Sequence, residues 1–118
     1  MKTILVVEDT ELNIDLITQL LEDDYKLLFA RDGSQGIDMA LQNNPDLILM
    51  DISLPIMDGY IATRKIREVQ KTVPIIGLSA HAMSGHERSA IEAGCTDYLT
   101  KPIDDELLLK KLKEYLPQ

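Results

Sequence analysis

Glu8, Asp9, Asp51, Ser79 and Lys101 each stand directly at or after the end of a short apolar run. Asp51 follows Leu47-Ile48-Leu49-Met50, and Glu8-Asp9 follow Ile4-Leu5-Val6-Val7. Three carboxylates brought to one place repel one another and raise each other's pKa unless a cation joins them. Hard oxygen ligands with room for water suit Mg²⁺, with Mn²⁺ as a substitute, and Mg²⁺ usually takes one or two carboxylates plus substrate phosphate. A lysine and a hydroxyl beside that cluster would hold the remaining oxygens of a phosphoryl group. A carboxylate nucleophile, a metal, a fixed cation and a donor are what phosphoryl transfer requires.

Taken singly, each residue has an ordinary reading. Glu8-Asp9 would cap a following helix, Asp51 would cap a helix beyond a strand-to-loop junction, Ser79 would be a loop hydroxyl, and Lys101 a solvated lysine. These readings weaken together, because no one of them explains complementary groups at the ends of four strands.

The elements that must position these groups follow from hydrophobic periodicity. Four apolar residues in a row before Asp51 read as a strand buried on both faces, since a half-buried strand would alternate. Asp51 then belongs at its open end, because burying an unpaired carboxylate is costly. Leu12, Leu16, Ile17, Leu20 and Leu21 recur at helical spacing over residues 10–22. A weaker strand over 25–29 reads as an edge. Ser34 is the expected N-cap of a second helix carrying Ile37, Met39, Ala40 and Leu41. Asp58-Gly59 opens a third helix with Ile61, Ile66 and Val69 as core candidates. A fourth strand spans 73–78, entered through Pro74. Ser84 is expected to cap a fourth helix carrying Ala90, Ile91 and Ala93 and ending at Gly94. A fifth strand spans 97–100. Asp104 opens a last helix with Leu107, Leu108, Leu112, Tyr115 and Leu116, acidic in its first turn and basic in its last, as the helix dipole prefers.

Five strands separated by helical crossovers imply an α/β domain with one parallel sheet covered by five helices on both faces. The 2-1-3-4-5 order of this size class places the first and third strands side by side at the switch point, where ligands bind outside the carboxyl ends of strands. The 118 residues fit one domain, 1–118, with no linker or repeat. A formal charge of −8 without a basic stripe argues against direct nucleic-acid binding. The one cysteine, Cys95, excludes an intrachain disulfide and reads as core packing. No apolar run approaches a membrane span, and a cytoplasmic protein is expected.

Val7-Glu8-Asp9, the run from Leu49 through Asp51, Ser53, Pro55 and Asp58 to Gly59, Leu78-Ser79-Ala80 and Tyr98-Leu99-Thr100-Lys101-Pro102 resemble the receiver domain of two-component response regulators. The resemblance spans essentially the whole chain and implies the CheY-like, flavodoxin-like fold. It implies that Asp51 accepts a phosphoryl group from a histidine kinase or a histidine phosphotransfer protein, with the chain catalysing its own phosphorylation and dephosphorylation. It further implies that Asp9, Asp51 and the Ser53 backbone carbonyl ligate Mg²⁺, with Glu8 acting through water. Ser79 would be the switch hydroxyl, Lys101 the phosphate-binding lysine, Tyr98 the switch aromatic, and His81 a modulator of dephosphorylation. The Lys101-Pro102 bond is expected to be cis. Two departures stand out: Glu8 replaces a frequent aspartate, and Ser79 replaces a frequent threonine, whose β-branch would restrict χ1 more tightly.

The start at Met1 and the close at Leu116-Pro117-Gln118 read as a stand-alone receiver that controls a protein target in trans through the surface near the fourth and fifth helices. A small Mg²⁺-dependent phosphohydrolase with an aspartate nucleophile is the competing function. Such hydrolases usually carry a second carboxylate two residues after the nucleophile, where this chain has Ser53. A third reading, a protein that keeps this fold without phosphorylation, sits poorly with the intact set of five.

Overall fold

Strand β3 (Leu47–Asp51) lies at the centre of a five-stranded parallel sheet, and its four apolar residues are fully buried. The computed structural model describes residues 1–54, 58–79 and 86–117. The other strands are β1 (Thr3–Val7), β2 (Lys26–Ala30), β4 (Ile75–Ser79) and β5 (Asp97–Thr100), in the order β2-β1-β3-β4-β5. Helices α1 (Glu11–Leu21), α2 (Gly33–Asn43), α3 (Gly59–Val69), α4 (His86–Ala93) and α5 (Asp105–Tyr115) connect or follow them. The edge position of β2 explains its weaker apolar pattern.

Side-chain alternation sorts the strands onto two cores. Ile4 and Val6 of β1, Leu47 and Leu49 of β3, Ile76 and Leu78 of β4 and Leu99 of β5 pack with α1 and α5 through Ile17, Leu21, Leu108 and Leu112. Leu5, Val7, Ile48, Met50 and Ile75 pack on the opposite face with Ala40, Ala62, Ile66 and Ala90 of α2, α3 and α4. Full burial of each large side chain contributes roughly 1.5–3 kcal/mol, so strands covered on both faces hold the sheet edge rigidly.

The helices depart from the periodicity reading in detail. Ile14, Ile17 and Leu21 are the buried positions of α1, whereas Leu12 and Leu16 are 68% and 43% exposed. In α3, Ala62, Thr63 and Ile66 face the core, and Ile61 and Val69 are exposed. Leu41, Ile91 and Leu107 are exposed as well. In α2 and α3 large apolar residues do not by themselves mark the buried face, because these helices pack so close to the sheet that small residues fill most of the contact. Gly36 shows this: a Cβ there would lie 3.0 Å from Val7 Cγ2.

Asp32, not Ser34, caps α2, accepting from the Gln35 N–H at 2.9 Å. Asp58 and Asp104 cap α3 and α5 in the same manner, at 3.0 and 3.1 Å. The Ser84 cap lies outside the described residues. Gly94, with φ of +119°, ends α4 in a conformation that L side chains rarely adopt. Helix α5 is tied to the start of β5 through Asp97, whose Oδ2 accepts from Lys111 Nζ and Tyr115 Oη, both at 2.8 Å. That hydrogen bond pushes the Tyr115 pKa up to about 12. Asp97→Asn is expected to cost about 1–3 kcal/mol, the loss of charge-assisted bonds to α5, read as a lower urea midpoint at unchanged slope.

Candidate functional site

The carboxyl ends of β1, β3, β4 and β5 share one edge, and the parallel ladder continues one residue past the strands. The Lys101 N–H donates to the Ser79 carbonyl at 2.7 Å, the Glu8 N–H to the Ala30 carbonyl at 2.9 Å, and the Ile52 N–H to the Leu78 carbonyl at 2.8 Å. Because the pleat persists to this point, alternation decides where each site residue falls. Glu8 continues the Ile4–Val6 series, Asp51 the Leu47–Leu49 series, and Lys101 follows Leu99, so all three fall on the α1/α5 side. Ser79 continues the series of Ile75 and Gly77, and Tyr98 packs on the same core as Ile75, so these two belong to the α2–α4 side. The site is thus divided by the sheet into an ionic group and a hydroxyl–aromatic pair.

The ionic group is almost closed to solvent. Glu8 is 0% and Asp51 2% exposed, and the Lys101 side chain is 17% exposed. Asp51 therefore ends β3 as expected, but its carboxylate is buried and paired, not open. Lys101 Nζ lies 3.1 Å from Asp51 Oδ2, and the Ser53 N–H donates to Asp51 Oδ1 at 2.9 Å. Lys101 Nζ also lies 2.8 Å from Glu8 Oε1, an ion pair without hydrogen-bond geometry. The other oxygen, Glu8 Oε2, accepts from the N–H groups of Asp9 and Thr10 at 3.0 and 3.2 Å. Glu8 thus caps the β1–α1 loop. The N-cap of α1 is Thr10, which makes no side-chain cap bond. Lys101 is no surface lysine, and its peptide bond to Pro102 is cis.

The electrostatics follow from this crowding. Burial pushes the Asp51 pKa upward, and the Glu8 charge beside it adds to the push, lifting it to about 6. Burial acts on Glu8 in the same direction, but contact with Lys101 and Asp51 outweighs it and holds Glu8 below the usual carboxylate range. For Lys101 burial works against the ammonium, yet Glu8 and Asp51 prevail and its pKa is raised. One carboxylate oxygen each from Glu8, Asp9 and Asp51 lie within 4.8 Å of one another, with Asp9 exposed at the rim. Two buried carboxylates sharing a single lysine leave excess negative charge, and all the donors are hard oxygens. This set fits a small divalent cation such as Mg²⁺.

Ser79 is fully buried, and Tyr98 is partly buried against the α2–α4 core. His81 lies outside the described residues. Gly59, read from the sequence as part of the turn that opens α3 and not as a site residue, shapes the site from behind: a Cβ there would lie 2.3 Å from the Asp51 carbonyl oxygen and 2.7 Å from Ile52 Cα. Its position in the Asp58-Gly59 turn was the available signal. Gly59→Ala must push backbone off the end of β3, so a loss of about 1–3 kcal/mol is expected in thermal or urea unfolding.

The family model described as the response regulator receiver domain matches residues 4–113. The polar-differentiation response regulator DivK of Brucella ovis is 36% identical over 118 residues, covering 98% of this chain and 96% of that protein. Among solved structures, a receiver domain of the sensor histidine kinase PA1611 from Pseudomonas aeruginosa is 38% identical with a TM-score of 0.91. That alignment covers 99% of this chain and 98% of the other, and that protein is described with magnesium coordinated in its active-site cleft. A two-component response regulator from Clostridium difficile superposes with a TM-score of 0.93 at 28% identity, over 100% of this chain and 98% of its own. Among the described residues no helix is long and apolar enough to cross a membrane. With the strand order, the buried acid–lysine group and these matches in agreement, this chain belongs to the response regulator receiver domains of two-component systems.

Proposed function

We propose that the chain is a phosphorylation-activated switch in which Asp51 takes a phosphoryl group from a phosphohistidine of a histidine kinase or a histidine phosphotransfer protein. The observation that carries this reading is the Asp51 carboxylate, buried at the switch point between β1 and β3, with Lys101 Nζ 3.1 Å from one oxygen and the carboxylates of Glu8 and Asp9 within metal-sharing distance. Asp9, Asp51 and the Ser53 carbonyl would hold the metal, with Glu8 acting through water. Mg²⁺, or Mn²⁺ in its place, supplies the positive charge that offsets these carboxylates and neutralises phosphoryl oxygens.

An ionised Asp51 oxygen attacks phosphorus in line. The P–O bond forms as the P–N bond breaks, and the P–N electron pair returns to the imidazole of the donor. Lys101 stays beside the equatorial oxygens and stabilises their charge. The acyl phosphate adds close to −1.5 to −2 charge, by analogy with phosphorylated hydroxyls. Ser79 then donates to a phosphoryl oxygen and Tyr98, on the same side of the sheet, turns inward. The surface around α4, β5 and α5 changes with them and alters binding of a protein target in trans. Coupling of about 1–3 kcal/mol is enough to bias such an equilibrium. The position two residues after Asp51 offers a backbone N–H and no carboxylate, so the hydrolase reading lacks its general acid–base.

The test is incubation with a small acyl or amide phosphodonor and Mg²⁺. A single phosphoryl group, acid-stable and base-labile and mapped to Asp51, is expected. Label on a histidine or serine, or sustained turnover of varied phosphate esters, would overturn the assignment.

A further inference from the structure

The C-terminal end of α4 is held by a side chain from another helix. Gly94 and Cys95 close α4 in a Schellman arrangement: the Gly94 N–H donates to the Ile91 carbonyl and the Cys95 N–H to the Ala90 carbonyl, both at 3.0 Å. Arg67, in the last turn of α3, lies across this turn. Its Nε donates to the Gly94 carbonyl at 2.8 Å, its Nη2 to Thr96 Oγ1 at 3.2 Å and its Nη1 to the Gln70 carbonyl at 3.2 Å. Thr96 Oγ1 also accepts from the Ile75 N–H at 3.1 Å, so the tie reaches the start of β4. A planar guanidinium with its donors in a fixed fork suits this three-way contact, and a flexible ammonium does not. Its charge sits beside the C-terminal ends of α3 and α4, where a cation is favoured. A Cβ at Gly94 would lie 2.7 Å from Arg67 Cγ, so the glycine serves the crossing arginine as well as its own φ of +119°.

The rest of α4 is held loosely by comparison. Among the described residues, the side chains that α4 buries are Ala90 and Ala93, while Ile91 is 46% exposed. Small side chains give a close contact without a large group locked into the core, and packed helices of this kind shift by small sliding movements. The tie stands at the amino-terminal edge of the sheet, since Ile75 starts β4 and Thr96 precedes β5, and the phosphorylation site lies at the opposite edge. The chain runs from Ser79, at that opposite edge, into the first turn of α4. A helix of eight residues is about 12 Å long, so a tilt of about 10° about one end moves the other by about 2 Å. We propose that Arg67 is a positioning residue that fixes residues 94–96 as a pivot, so that the change begun at Ser79 reaches the output surface as a tilt of α4 about its C-terminal end. This inference rests on the switch function proposed above.

The test follows α4 by NMR before and during saturation with acetyl phosphate and Mg²⁺, with phosphoryl uptake measured by intact mass. In the unaltered protein, the N–H residual dipolar couplings over 88–92 are expected to change together, as those of one tilting rod. The couplings of Gly94, Cys95 and Thr96 should change by less than a third as much. Arg67→Met keeps the aliphatic stem over Gly94 and removes the three hydrogen bonds. Arg67→Lys, which keeps the charge without the fork, replaces it should the methionine variant not fold. In the variant the couplings at 94–96 should change as much as those at 88–92. Amide exchange at Cys95 and Thr96 should quicken about tenfold, while amides of β1 and β3 keep their rates, which separates a lost pivot from a general loss of stability. Changes at 94–96 of a third or more of those at 88–92 in the unaltered protein, or no change in either, would overturn the proposal. So would a variant that behaves like the unaltered protein, since the turn would then hold itself. In each of these cases a measured phosphoryl group on Asp51 leaves the switch site standing and this inference alone fails. If the protein takes up no phosphoryl group, the switch function and this inference fall together.

Discussion

Asp51→Asn is expected to abolish phosphorylation from any small donor and, in metal-free buffer at neutral pH, to make the protein more stable. The first effect is the loss of the attacking carboxylate. The second follows from the Asp51 pKa, raised to about 6 from 3.8. A carboxyl whose folded pKa lies above its unfolded value binds more protons in the native state. Its contribution to stability is therefore greatest at low pH and is lost as pH rises from about 4 to about 6. Glu8 has the opposite sign: its depressed pKa gives stability that is present above the unfolded value and lost as pH falls through the folded one. The Asp51 slope should dominate between pH 4 and 6, and asparagine should remove it. The variant should exceed the unaltered protein by roughly 1–3 kcal/mol at pH 7, with the gap closing toward pH 4. Urea unfolding across this range measures it. A gap that does not change with pH would mean that Asp51 is not the group titrating, and labelling of the variant would place the acceptor elsewhere.

The second large effect is stabilisation by Mg²⁺ and its dependence on pH. A cation that binds only the folded state adds about 2.7 kcal/mol at a hundred times its dissociation constant, roughly a 10 °C rise in melting temperature for a chain of this length. Below about pH 6 the metal must displace the proton held by Asp51, so its affinity should fall toward tenfold per pH unit. The same titration on Asp51→Asn separates this proton from the others, since the variant should bind more weakly and without that slope. An unchanged melting temperature at saturating Mg²⁺ and neutral pH would remove the metal from the site.

Sequence alone determined the architecture here, because the information is local. Continuous apolar runs at β1, β3 and β4 mark strands covered on both faces, and the segments between them have helical spacing. Connections this short leave a parallel sheet as the way to join them. The same runs also showed which chemical groups gather at the carboxyl edge. Helix faces were less legible. Leu12, Leu16, Ile61 and Val69 have the spacing of core residues but face outward, while Gly36, Ala62 and Thr63 are taken inside by close packing. Hydrophobicity does not record how near a helix lies to the sheet.

Tertiary structure decided how the five groups are divided. Period-two alternation, running unbroken from Ile4, Val6 to Glu8, from Leu47, Leu49 to Asp51 and from Leu99 to Lys101, places the acids and the lysine on one side. Ser79 and Tyr98 fall on the other. That signal is present in the chain but becomes usable only once strand ends and register are known, because a shift of one residue exchanges the faces. Nothing local could show that Glu8 and Lys101, distant in sequence and three strands apart, meet at 2.8 Å. Their meeting depends on the strand order and on two backbone N–H groups that aim Glu8 inward. The same contact explains why the acid that follows β1 is buried and paired while Asp9, its neighbour, stands exposed at the rim.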